Sequence, residues 1–114
     1  MYRRNIRSEN ELIDDLSLLI LNEDSTRWII KINKEFSSRG IAWVALTDFP
    51  SIMEIKNSPE EMQYRLAKTK LMVKKVLKRV VKYAVPSLYP RWDNYIKKLE
   101  KFGAAIESMP EGAF

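Results

Sequence analysis

The sequence predicts an α+β fold, in which one small domain spans residues 1–114. Two observations indicate it: apolar residues recur at helical spacing in three separate segments, and they alternate with a period of two between the first two of those segments. A chain that is 46% apolar and 31% charged has the composition of a globular domain with a real core. The alternative is an all-α domain of four or five helices.

The first element is an N-terminal helix that ends near Asn22. It opens with a capping-box pattern, Ser8-Glu9-Asn10-Glu11, in which the Ser8 side chain caps the first turn. Its buried stripe consists of apolar residues three and four positions apart: Leu12, Ile13, Leu16, Leu19 and Ile20. We expect residues 1–7 and 108–114 to be flexible ends.

Two or three short antiparallel strands are predicted next. From Arg27 to Phe36, apolar residues alternate with polar ones, a turn follows over residues 37–40, and residues 41–47 form a second apolar run. Residues 52–56 are predicted as a third strand at the sheet edge, and Trp28 and Trp43 as core residues. The alternative is a helix over residues 25–39 that ends at Gly40.

A long basic amphipathic helix is predicted from Ser58 to Ala84, with Ser58 as its cap and Pro59 in its first turn. At ~1.5 Å per residue it is roughly 40 Å long. One stripe of this helix is apolar: Met62, Leu66, Thr69, Val73, Val76, Leu77, Val80 and Ala84. The remaining circumference is basic, because residues 62–92 contain nine Lys or Arg and no acidic residue.

The last predicted element is a C-terminal helix from about Arg91 to Glu107, which follows a rigid turn at residues 86–90. Its apolar stripe consists of Trp92, Tyr95, Ile96, Leu99, Phe102 and Ile106.

Composition excludes several kinds of site. The chain has no Cys and no His, so disulfides, thiolate metal sites and Ser–His or Cys–His nucleophiles are excluded. Three glycines do not make a phosphate-cradling loop. No apolar run reaches the ~20 residues of a membrane span, and no secretory signal is recognisable. We therefore expect a cytoplasmic, non-enzymatic protein that needs no cofactor.

Aligned cations favour binding to the nucleic-acid backbone, because phosphate contacts release condensed counterions. Lys outnumbers Arg on the long helix, which favours backbone contact over reading of base edges. The predicted nucleic-acid-binding residues are Arg65, Lys68, Lys74, Lys75, Lys78, Arg79 and Lys82. An acidic protein surface is the alternative partner for the same cations.

A regulatory or accessory role through protein contact is the second hypothesis. Tyr and Trp are favoured in the centre of protein interfaces. The candidate contact residues are Tyr64 and Leu71 within the basic helix, and Tyr89 and Trp92 around the rigid turn.

A Mg²⁺-dependent nuclease is the third hypothesis. Asp48 follows a predicted strand, and Glu54 and Lys56 form an acid-x-Lys triplet on the next one. In such a site carboxylates hold the metal and the lysine orients water, while Glu9 or Glu11 would supply a further carboxylate.

Overall fold

The computed structural model describes residues 2–34 and 39–109, and of residues 2–4 only the backbone. Four helices lie in this part of the chain: α1 (Glu9–Asn22), α2 (Ile52–Lys56), α3 (Met62–Val80) and α4 (Trp92–Phe102). Five strands accompany them: β1 (Tyr2–Ile6), β2 (Arg27–Ile32), β3 (Ile41–Ala45), β4 (Lys82–Tyr83) and β5 (Ala104–Ser108). The α+β fold is confirmed, and the all-α alternative is not favoured.

The five strands form one antiparallel sheet in the order β1-β5-β2-β3-β4. Because side chains alternate along each strand, the register defines two faces. The inner face carries Trp28, Ile30, Ile32, Ala42, Val44, Ala104 and Ile106, which are all buried. The outer sheet face carries Arg27, Ile29, Lys31, Ile41, Trp43, Ala45, Lys82, Ala105 and Glu107.

The helices cover the inner face. The apolar stripe of α1 is buried as predicted, and Ser8 caps this helix by accepting a hydrogen bond from the Glu11 N–H at 3.1 Å. α3 packs against α1 through Thr69, Val73 and Leu77, the buried centre of its predicted stripe. These side chains join the inner-face residues in a single core.

The long helix is shorter than predicted at both ends. Ser58 does not cap it, because the Ser58 hydroxyl accepts the Glu60 N–H at 3.2 Å in a turn before the helix. Glu61, with an extended backbone, precedes the first helical residue. At the other end Val81 is extended and leads directly into β4, so Ala84 lies beyond the helix.

The predicted third strand at residues 52–56 is wrong, because this segment is the short helix α2. Ser51, at φ 62°, reverses the chain just before it. Ile52, the first residue of α2, is buried, and α2 packs on α3. Burial of one apolar side chain and contact with a neighbouring helix outweigh the weak strand pattern of five residues.

The C-terminal helix also ends earlier than predicted. Gly103 has φ +76°, a conformation that ends α4 after Phe102 and redirects the chain into β5. β5 then lies between β1 and β2, so Ile106 is a core strand residue and not a helical one.

The N-terminal segment predicted as flexible contains β1, which pairs with β5 and buries Ile6. Ser108, at the start of the other predicted flexible end, is the last residue of β5. Residues 110–114 lie outside the described residues, as do Met1, Phe36 and the first two residues of the predicted turn at 37–40.

Candidate functional site

The outer sheet face has a central row of four side chains that crosses four strands. Glu107, Ile29, Trp43 and Lys82 are direct cross-strand neighbours on β5, β2, β3 and β4. Adjacent strands lie about 4.8 Å apart, so the side chains of Ile29 and Trp43 stand side by side at the middle of this row.

Cations surround this apolar pair. Arg27 and Lys31 are exposed two positions before and after Ile29 on the same strand, so each lies about 7 Å from it along β2. The Lys31 ammonium pairs with the Glu107 carboxylate at 2.5 Å, and Lys82 pairs with Asp48 at 3.0 Å. Through these pairs, the Glu107 and Asp48 carboxylates lie next to the Lys31 and Lys82 ammonium groups.

The apolar residues of the outer face are separate from the core. Ile29, Ile41 and Trp43 are half-buried, and they belong neither to the core of the described chain nor to the residues packed against it. The prediction that Trp28 and Trp43 are core residues is therefore confirmed for Trp28 alone, which is fully buried. Chemically, an apolar platform between cations suits a flat ring that carries an anionic group.

The predicted basic residues of α3 form two groups in the structure, those that are exposed without an ion pair in the described chain and those that contact other residues of the protein. Lys74, Lys75, Lys78 and Arg79 are exposed and form no ion pair within residues 2–34 and 39–109. They occupy the C-terminal half of the helix, where they concentrate positive charge.

Other predicted cations have partners inside the protein. Lys68 pairs with Glu60, and this hydrogen bond lowers the pKa of the Glu60 carboxyl. Arg65 is half-buried and donates to the Glu60 and Lys56 carbonyl oxygens, at 3.0 and 3.3 Å. Lys82 lies on β4, on the outer sheet face, because α3 ends before it.

The candidate contact residues lie in two different environments. Tyr64 and Leu71 are exposed on α3. Tyr89 is only 4% exposed, and its hydroxyl donates to the Arg39 carbonyl oxygen at 2.7 Å, so it is a core residue inaccessible to a partner. Trp92 is half-buried and donates its indole N–H to Glu9 at 3.1 Å.

The three nuclease candidates have separate surroundings. Asp48 accepts the Ala45 N–H at 2.8 Å and pairs with Lys82. Lys56 donates to two carbonyl oxygens at the end of α1, and Glu54 is exposed on α2. The strand on which the triplet was expected is a helix, and among the described residues no group of three or more acidic side chains is placed to hold a metal ion.

Sequence reasoning missed Arg27, Lys31 and Trp43 as site residues. The available signal was the alternation in β2, which places Arg27, Ile29 and Lys31 on the face opposite to Trp28. What the sequence does not contain is the position of β5 beside β2, which brings Glu107 to Lys31.

The chain is similar to one described protein family over nearly its whole length. Residues 2–113 match the model of the family described as IQCH-like, ATP-grasp. No curated protein and no solved structure matches the chain. Within the described residues, no helix combines the length and apolar character needed to cross a membrane.

Proposed function

The chain belongs to the IQCH-like, ATP-grasp family, and on this premise we propose that the outer sheet face binds a nucleoside triphosphate. The observation that carries the proposal is the half-buried Ile29–Trp43 pair, with Arg27 and Lys31 on either side of Ile29. A base can lie against the apolar pair while Arg27 or Lys31, beside Ile29 on β2, contacts phosphate oxygens.

The residues of the outer sheet face suit a nucleotide better than they suit the divalent cation that accompanies a nucleoside triphosphate. Lys31 is held by one carboxylate, and a phosphate with more charge and more acceptor oxygens competes with Glu107 for the ammonium. For a divalent cation, the described part of the chain offers no group of three acidic side chains. The proposal therefore concerns nucleotide binding by this chain, and no reaction step is derived.

The test is a titration of the purified chain with a fluorescent ATP analogue without added metal. We expect Lys31→Met to weaken binding about tenfold, because it removes one charge-assisted contact to phosphate. Lys97→Met is the matched control, since Lys97 is exposed on α4, which packs on the inner side of the sheet. Equal affinity of the Lys31→Met variant and the parent would contradict the proposal.

A second candidate function is supported by the basic face of α3. Four exposed cations without an ion pair in the described chain favour an anionic macromolecule, and the nucleic-acid backbone is the partner expected from the sequence. With labelled DNA and RNA over a salt series, we expect affinity to fall steeply with salt. Charge reversal at Lys75 and Lys78 is expected to weaken binding to all sequences alike. A double charge reversal at Lys97 and Lys101 of α4 is the control.

A further inference from the structure

Two large apolar side chains stand at the centre of the solvent-facing side of α3. Tyr64 is 55% exposed and Leu71 is 64% exposed, the highest value among the large apolar residues of the described chain. They are seven residues apart, so they lie on one line along the helix, separated by about 10 Å. Exposed apolar residues in such an arrangement are typical of a helix that contacts another helix.

A groove lies beside Leu71, where α3 packs against α1. Its apolar residues are Leu71, Ala67 and Ile13, and polar side chains line the rest: Asn10, Asp14, Lys70 and Lys74. Asp14 and Lys70 neutralise each other as an ion pair at 3.3 Å. The net charge of the groove therefore comes from Lys74.

The surroundings of Leu71 are positive. Lys74, Lys75 and Lys78 follow it within two helical turns, all exposed and without an ion pair in the residues the structure describes. A partner on this surface needs apolar groups to cover Leu71 and negative charge to face the lysines. A phosphate backbone supplies charge but leaves Leu71 uncovered, whereas an acidic amphipathic helix supplies both.

We infer that α3 docks an acidic amphipathic helix of a partner protein. Apolar residues of this helix, seven positions apart, would cover Leu71 and Tyr64, and its carboxylates would face Lys74, Lys75 and Lys78. The inference concerns the same basic surface as the second candidate function, but it assigns that surface to an acidic protein helix in place of nucleic acid. It is independent of nucleotide binding on the outer sheet face.

The experiment measures binding of the full chain to four labelled probes by fluorescence anisotropy. The first is an 18-residue peptide of Leu, Ala and Glu with its leucines on one helical stripe, and the second is a scrambled peptide of the same composition. The others are an 18-nucleotide single-stranded DNA and vesicles of phosphatidylserine. We expect the patterned peptide to bind at least tenfold more tightly than the scrambled one.

Two substitutions locate the binding surface. Leu71→Ser is expected to weaken binding of the patterned peptide about tenfold without changing the thermal unfolding of the chain, because the side chain is exposed. Met53→Ser is the matched control, since Met53 is similarly exposed on α2.

Each outcome either supports the inference or overturns it. Equal binding of the two peptides, or insensitivity to Leu71→Ser, overturns it and leaves only charge attraction. Tighter binding of the DNA or the vesicles than of the patterned peptide also overturns it, while the DNA result supports the second candidate function. If charge reversal at Lys75 and Lys78 changes no probe's affinity, both the inference and the second candidate function fail.

Discussion

At the scale of single residues, neighbours on α3 have opposite environments. Val73 is fully buried against α1, while Lys74, the next residue, is exposed at the edge of the groove. The helical period that separates these two faces is visible in the sequence, because apolar residues recur three and four positions apart. The sequence alone therefore predicts which residues in the middle of this helix are buried and which are exposed.

Val73→Asp tests this assignment. We expect it to lower the free energy of unfolding by about 3 kcal/mol or more, because it places an unpaired charge in the core. Lys74→Asp, on the exposed side, is expected to change it by less than about 0.5 kcal/mol. Urea denaturation measures both values, and similar losses in the two variants would show that the faces are assigned wrongly.

At the scale of elements, a lysine of α2 caps the C-terminal end of α1. No basic residue lies in the last turn of α1, so its terminal carbonyl oxygens lack a local cation. The Lys56 ammonium supplies it from α2, donating to Ile20 O at 2.7 Å and Glu23 O at 2.8 Å. The lysine that the sequence offered as a nuclease residue thus links two helices.

Lys56→Met tests this role. Loss of two charge-assisted hydrogen bonds is expected to lower the free energy of unfolding by about 1–2 kcal/mol. Glu54→Gln, exposed on the same helix, is the control and is expected to be neutral. Thermal and urea unfolding give both numbers, and an unchanged midpoint for Lys56→Met would contradict a capping role.

The strands that sequence reasoning missed all pair with distant segments of the chain. α1 and β2 are predicted from the repeat of their apolar residues, and β3 from a short apolar run. β1 and β5 have 5 residues each, like β3, and β4 has 2, and the strand conformation of all three comes from pairing with chain segments distant in sequence. For β5, Ile106 also continues the apolar stripe of α4, and Gly103 is the one local signal that separates them.

At the scale of the whole molecule, an aromatic cluster joins its C-terminal half to the sheet. The ring centroid of Tyr95 in α4 lies 5.3 Å from that of Tyr83 in β4 and 4.9 Å from that of Tyr89. The Tyr95 hydroxyl donates to the Gly40 carbonyl oxygen at 2.9 Å. Burial, followed by the charges of Tyr89 and Tyr83, raises the pKa of Tyr95 well above its ordinary value of about 10.

The free energy of unfolding is therefore expected to fall as the pH becomes alkaline. Since the pKa of Tyr95 is raised in the folded state, its contribution is complete below pH ~10 and is lost as the pH rises beyond that value. At pH 8 we expect Tyr95→Phe to lower the free energy of unfolding by about 1 kcal/mol, the value of one hydrogen bond. At pH 11 this difference from the parent should shrink, because Phe does not ionise. Urea denaturation at the two pH values measures it, and a constant difference would refute the account.

The place of β5 between β1 and β2 has a consequence for biosynthesis. β1 leaves the ribosome nearly a whole domain before its partner strand β5 is made. Until β5 emerges, β1 has no neighbour in this sheet and one edge of β2 stays unpaired. Unpaired strand edges associate with other chains, and such distant pairings close slowly. A nascent chain that has not yet reached residue 104 therefore exposes these unpaired strand edges, and the sheet is completed only after β5 has emerged.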